Sequence, residues 1–213
     1  MHMEKLRGLY VAELEDLYSA EKQLVEALPT LAKHSSTREL KMAFEGHLEE
    51  TKKHVQRLDR VFEMLDVAPS ERHCTMMERL IERSHELLER ESDGDVLDAA
   101  LIARAQQVEH YEIAGYGTVQ TYAAILGEVG HLRLFQQTLH EEAVADDCFA
   151  EIAHEAVRVE WTIRNRANRR ATDREVLRPT EIDRLPLQQG TRDLPSLSSK
   201  PSTSRVTDSG PRT

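Results

Sequence analysis

Several positions of the chain carry an acid where a helix should bury an apolar side chain. Leu101, Ala105, Val108, Glu112, Gly115 and Val119 recur at steps of three and four residues, which stacks them along one helix face. Glu112 occupies a seam position there. Glu109, one turn earlier, shares a neighbouring strip with Ile102, Ala105, Ile113 and Tyr116. Glu21 interrupts the stripe Leu14, Leu17, Leu24, Leu28, Leu31, and Glu142 interrupts Phe135, Leu139, Phe149, Ile152. Glu50 and His54 lie along the edge of a stripe made by Phe44, Leu48, Thr51, Val55, Leu58, Phe62 and Leu65, and Asp146 follows Glu142 by one turn. A carboxylate inside a fold is costly unless it is paired or bound to a cation. Bridging and terminal carboxylates from four helices, with added donors at i+3 or i+4, are what a dinuclear metal centre in a helical bundle needs. The expected ligands are therefore Glu21, Glu50, His54, Glu109, Glu112, Glu142 and Asp146. A donor set so rich in oxygen suits two ions of iron or manganese better than zinc or copper. Glu109 is the expected catalytic residue, because it has no counterpart in the first half of the chain and could shift as oxygen or peroxide enters.

The elements that must carry these residues are long helices. The first is expected over residues 4–33, and Ser36 with Glu39 reads as a capping box that opens a second, ending near Leu65. Residues 66–94 are a long connection with a short amphipathic helix on Met76, Leu80, Ile81 and Leu87. It lets a third long helix, from about Asp95 to Gly127, run parallel to the second. Gly127 and Gly130 turn the chain into the fourth. Hairpin, long crossover, hairpin is the ferritin-like form of the four-helix bundle. The expected organisation is all-α, with this bundle over residues 1–165 and a flexible polar tail over 166–213, where Ser, Thr and Pro accumulate.

Shifting the first hairpin by 91 or 92 residues lays Glu21 on Glu112, Glu50 on Glu142 and His54 on Asp146, with HLEETKKH at 47–54 against LHEEAVAD at 139–146. The two hairpins are then related about a pseudo-twofold axis, with an acid from every long helix in one layer. His47 and Asp16 fall one step off the seam and read as outer or surface groups. His110 reads as outward-facing, and Cys148 as a buried small hydrophobe. The acids from Asp93 to Asp98 read as a solvated face and a helix cap.

Composition narrows the function. The net charge is −10 over 213 residues. From Trp161 onward eleven Arg or Lys stand against six Asp or Glu, so the tail is +5 and the preceding body −15. An acidic body argues against nonspecific nucleic-acid binding. Two cysteines form no CxxC and no disulfide framework, which fits a reducing cytoplasmic setting and leaves no rubredoxin-type electron relay. No apolar run is long enough to span a membrane.

At LYVAELEDLYSAEKQL, AFEGHLEETKKHVQRLDRVFEML and above all DAALIARAQQVEHYEIAGYGT, the chain resembles the YciE/YciF-like branch of the ferritin-like superfamily over roughly residues 4–160. That resemblance implies a compact subunit, commonly a homodimer, with a rubrerythrin-like dimetal site and a stress-associated role. It maps family ligands onto Glu21, Glu50, Glu109, Glu112 and Glu142. The superfamily's Glu-x-x-His is replaced by Glu50-x-x-x-His54 and Glu142-x-x-x-Asp146. The expected activity is on oxygen or peroxide, as a peroxidase, catalase or ferroxidase. Iron storage in a cage and a metal-free helical dimer acting as a stress-associated interaction module are the alternatives.

Overall fold

The computed structural model describes residues 3–70, 72–91 and 93–176, with side chains as far as residue 155. All regular elements among the described residues are helical: α1 Met3–His34, α2 Arg38–Leu65, α3 Thr75–Arg90, α4 Gly94–Leu126 and α5 Val129–Val176. The chain divides into two units, Met1–Ala167 and Asn168–Thr213, and the features below belong to the first. Helix α5 continues to Val176, into the segment 166–213 expected from the sequence to be a flexible tail. The remainder of the expected tail lies outside the described residues.

Four long helices supply the bundle, and two apolar clusters fill it. One gathers Leu24, Leu28, Leu40, Phe44, Leu101, Val108, Ala145 and Phe149. The other gathers Tyr10, Leu14, Leu17, Leu58, Phe62, Tyr116, Val119 and Phe135. The order in which each helix meets the clusters fixes its direction. Helices α2 and α4 pass from the first cluster to the second, while α1 and α5 pass from the second to the first. Thus α2 and α4 are parallel and α1 and α5 antiparallel to them, as two hairpins joined by a long crossover require. On every long helix the passage from one cluster to the other crosses a buried polar residue.

The connections show what stops each helix. The expected Ser36–Glu39 capping box does not form. Thr37 stands at the N-cap of α2 and makes no side-chain cap bond. Instead Asp98, one turn into α4, accepts from the Ser36 and Thr37 amides at 2.8 and 2.9 Å and from Thr37 Oγ1 at 2.8 Å. Asp98 is therefore a buried anchor for the α1–α2 turn and not a solvated acid. Helix α2 ends on Asp66 in the left-handed region, φ 53°, with its N–H returned to the carbonyls of Phe62 and Glu63. The crossover helix α3 packs Leu80, Ile81 and Leu87 against the first cluster as expected, but buries Met77 and leaves Met76 exposed. Asp93 caps α4 by accepting from the Asp95 and Val96 amides. Gly127 closes α4 at φ 78°, a conformation glycine adopts without penalty. Cys148 is exposed on α5, whereas Cys74, the N-cap of α3, is buried.

Candidate metal centre

The polar layer between the two apolar clusters contains Glu21 from α1, His47, Thr51 and His54 from α2, Glu109 and Glu112 from α4, and Glu142 from α5, all buried. Each comes from mid-helix, where the backbone is fully hydrogen-bonded and only the side chain can choose a partner. Two groups of donor atoms converge here. His47, Glu109, Glu112 and Glu142 can each present a ligand atom within 4.8 Å of the others, and so can Glu21, His54 and Glu142. Glu142 belongs to both groups. It stands where a bridging carboxylate between two cations would have to stand.

These donors are poorly satisfied by protein. Glu21 Oε2, Glu109 Oε2, both oxygens of Glu112 and of Glu142, both ring nitrogens of His47 and His54 Nδ1 are buried without a hydrogen-bond partner. Among the described residues, the one further atom in that condition is Arg104 Nε. His54 Nδ1 lies 2.9 Å from Glu142 Oε1 and 3.3 Å from Glu21 Oε1, and His47 Nε2 lies 3.2 Å from Glu109 Oε1. These are ion-pair distances that lack the direction of a hydrogen bond. Buried polar atoms are rarely left so, and a cluster of them aimed at one volume fits a cation.

The charge states follow from burial and crowding. Burial first, then the neighbouring carboxylates, pushes Glu109 and Glu112 well above the ordinary carboxylate range. Burial also raises Glu21, against the pull of His54. Glu142 is the exception: burial raises it, but the adjacent His54 imidazole outweighs burial and holds it low. For His54 burial favours the neutral ring, yet Glu21 and Glu142 together bring it up to about 10. Burial lowers His47. Without a cation, burial and crowding therefore favour protons on Glu109, Glu112 and His54. Divalent cations would replace them. Two such cations balance the four carboxylates of Glu21, Glu109, Glu112 and Glu142.

A family profile described as "Domain of unknown function (DUF892)" matches residues 5–162. The chain belongs to this family. Protein YciF of Escherichia coli K12 is 44% identical to it over 154 residues, 72% of this chain and 93% of YciF. The crystal structure of YciF, an E. coli stress protein, has a TM-score of 0.70 at 42% identity, covering 72% of this chain and 97% of that one. YcfI from Rhodopseudomonas palustris has a TM-score of 0.66 at 39% identity over 70% of this chain and 94% of its own. A protein from Xanthomonas campestris, at 23% identity and a TM-score of 0.58 over 76% and 99%, shares the fold.

In this DUF892 protein the structure brings together five of the residues singled out from the sequence: Glu21, His54, Glu109, Glu112 and Glu142. It does not bring Glu50 or Asp146 to them. Glu50 is half-buried at the edge of the layer, with its carboxyl raised by burial and by Glu141 and Glu142 nearby. Asp146 accepts from Gln106 at 3.2 Å and pairs with the exposed His110 at 3.0 Å. His47, read from the sequence as an outer group, is buried within the layer. Asp16 accepts from Tyr111 at 2.7 Å, outside it.

The cause is a one-residue difference in register. The buried face of α2 is Leu40, Phe44, His47, Thr51, His54 and Leu58, and that of α5 is His131, Phe135, Thr138, Glu142, Ala145 and Phe149. A constant offset of 91 relates them, the same that lays Glu21 on Glu112. His47 then overlays Thr138, Thr51 overlays Glu142, and His54 overlays Ala145. Aligning the HLEETKKH and LHEEAVAD strings uses 92, which turns the second helix by about 100°. The alternation of buried positions on α2 was the signal that would have found His47.

Proposed function

We propose that this protein holds a pair of iron or manganese ions in the polar layer and uses them on peroxide or oxygen. The observation that carries the reading is the set of buried, unpartnered oxygen and nitrogen atoms converging from four helices with Glu142 common to both groups. The donor set fits: four carboxylates give hard anionic ligation, and one imidazole for each ion matches what iron and manganese accept. His47, Glu109 and Glu112 would hold one ion, Glu21 and His54 the other, and Glu142 would bridge. When bound, such a pair supplies electrons for reducing an oxidant, which no side chain of the layer could do alone.

The chain's own contribution is binding, orientation and exclusion of water. Leu17, Leu24 and Phe149 wall the layer, with Ile113 half-buried beside it, so that an oxidant reacts away from bulk solvent. Tyr116 donates to Glu21 Oε1 at 2.5 Å and fixes that carboxylate. Glu109 has one unpartnered oxygen and lies one turn from Glu112, which leaves it free to move between binding modes. A stress-associated role is supported by the similarity to the E. coli stress protein YciF, and the proposal extends to a homodimer formed through outer helix faces.

The decisive experiment is elemental analysis of protein from cells replete in iron and manganese. About two ions per chain are expected, and Glu112→Ala with Glu142→Ala should abolish them. Less than a fraction of an equivalent in the unaltered protein refutes the reading. Metal-replete protein should then consume hydrogen peroxide in stopped flow, and Glu109→Ala should lose most of that while keeping some metal. Sedimentation as a particle of several hundred kilodaltons would instead favour storage in a cage.

A further inference from the structure

His54 has two partners on opposite edges of its ring. Its Nδ1 faces Glu142 and Glu21 inside the layer, and its Nε2 faces Glu141 Oε2 at 2.9 Å on the outside. Glu141 is in turn gripped from the solvent side. Arg57 donates to it twice, Nη1 to Oε2 at 2.5 Å and Nη2 to Oε1 at 2.8 Å, and Gln137 Nε2 donates to Oε1 at 3.2 Å. Arg57 Nη1 also reaches Thr138 Oγ1 at 3.0 Å. The arrangement is local in sequence on both helices: Arg57 follows His54 by one turn of α2, and Glu141 immediately precedes Glu142 on α5. A residue inside the layer and its neighbour outside are thus positioned by the same stretch of helix. His47 has no equivalent, since neither of its ring nitrogens has a hydrogen-bond partner.

We propose that Glu141, clamped by Arg57, is a positioning residue that sets the face of His54 presented to a metal ion. The inference rests on the reading of the layer as a metal centre. A carboxylate already receiving two hydrogen bonds from a guanidinium can only accept from the imidazole, so when a cation displaces the Nδ1 proton the remaining ring proton stays on Nε2 and the lone pair is left on Nδ1. The ring is held in the tautomer and orientation that aim Nδ1 between Glu21 and Glu142. Outer carboxylates on ligating histidines act in this way, and their loss typically lowers metal affinity by about 10–100-fold.

Cobalt(II) titration of the full chain by calorimetry tests the assignment, with proton NMR of the cobalt-loaded protein as the second readout. Unaltered protein should show an exchangeable, hyperfine-shifted proton from His54 Nε2. Glu141→Ala should bind one of the cobalt equivalents about 10–100-fold more weakly and lose that signal, with an unchanged helical circular dichroism spectrum. Glu141→Gln, which keeps an acceptor oxygen, should retain the signal and bind with intermediate affinity. If the unaltered protein takes up no cobalt, the metal reading and this inference fall together. If it takes up cobalt and Glu141→Ala matches it in affinity and in the exchangeable signal, the metal reading stands and the positioning role is overturned.

Discussion

Replacing Glu112 by methionine should make the metal-free protein more stable. Glu112 is fully buried, and neither of its oxygens has a hydrogen-bond partner. Burial, followed by the charges of Glu21, Glu142 and Glu109, pushes its carboxyl well above the ordinary range and favours the protonated form in the absence of a cation. An unsatisfied buried polar group of this kind costs about 1–3 kcal/mol. Methionine keeps the unbranched stem at similar volume, so no cavity offsets the gain. In a domain of this size each kcal/mol moves the melting temperature by about 2–4 °C, so Glu112→Met should melt about 2–12 °C above the unaltered protein after exhaustive chelation. Adding iron(II) or manganese(II) should then reverse the order. On the proposed reading the unaltered protein should gain stability from the added ions, and the variant, short of a ligand, should gain less. Scanning calorimetry with and without chelator reads both. A variant that melts several degrees below the unaltered protein under chelation would show that Glu112 is satisfied within the bundle, and the argument from unpartnered donors would be wrong.

Other perturbations probe what surrounds the layer. Asp98→Ala removes a charged acceptor from two amides and one hydroxyl of the α1–α2 turn, and should cost about 1.5–3 kcal/mol in urea unfolding, with Asp98→Asn recovering part of it. Glu141 is held down to about 2 against burial by Arg57 and His54, so its contribution to metal-free stability is present above the ordinary carboxylate value and lost as pH falls through about 2. Urea unfolding from pH 5 to pH 2 should lose that part of its slope in Glu141→Gln. His54 behaves oppositely: its value is raised from 6.5 to about 10, so its contribution is present below 6.5 and lost as pH rises through about 10, and His54→Gln should flatten this alkaline limb. A Cβ at Gly115 would lie 2.7 Å from Leu17 Cδ2. Gly115→Ala should therefore lower the urea midpoint, by an overpacking cost of about 1–3 kcal/mol less a helix-propensity gain of about 1 kcal/mol, and raise it in a Leu17→Ala background, where only that gain remains.

On α1 and α4 the layer could be read directly from the chain, because a carboxylate stands within a run of leucines, valines and alanines and no other residue competes for the seam. Helix α2 resists the same reading. Its inner face carries His47, Thr51 and His54 in succession, so no single polar residue interrupts an apolar stripe, and Glu50 draws attention by being an acid beside them. Residue type then outweighs angular position, and the resulting alignment is turned by one residue. The cap at the start of α2 was illegible for a different reason. Asp98 lies 62 residues from Ser36, and a local window sees only the Ser36–Glu39 spacing, which in this fold has been superseded by a tertiary contact. Cys148 and Met76 each sit beside a buried position, Phe149 and Met77, and one residue on a helix is about 100° of rotation.

The donors all stand at mid-helix, between two apolar clusters, and none comes from a connection. The turns at both ends of the bundle are accordingly free to diverge. Lengthening the Gly127 turn, reshaping the segment around α3 or reopening the chain at one end and joining it elsewhere would leave the buried donor set intact, provided the helices keep their phase. A single residue inserted within a long helix, between either apolar cluster and the layer, would not be absorbed in this way. It would swing that helix's donor toward solvent while leaving its composition almost unchanged. In DUF892 proteins of this kind, inheritance should therefore act on spacing more strictly than on sequence: loops drift in length and content, and the count of residues between core and layer stays fixed.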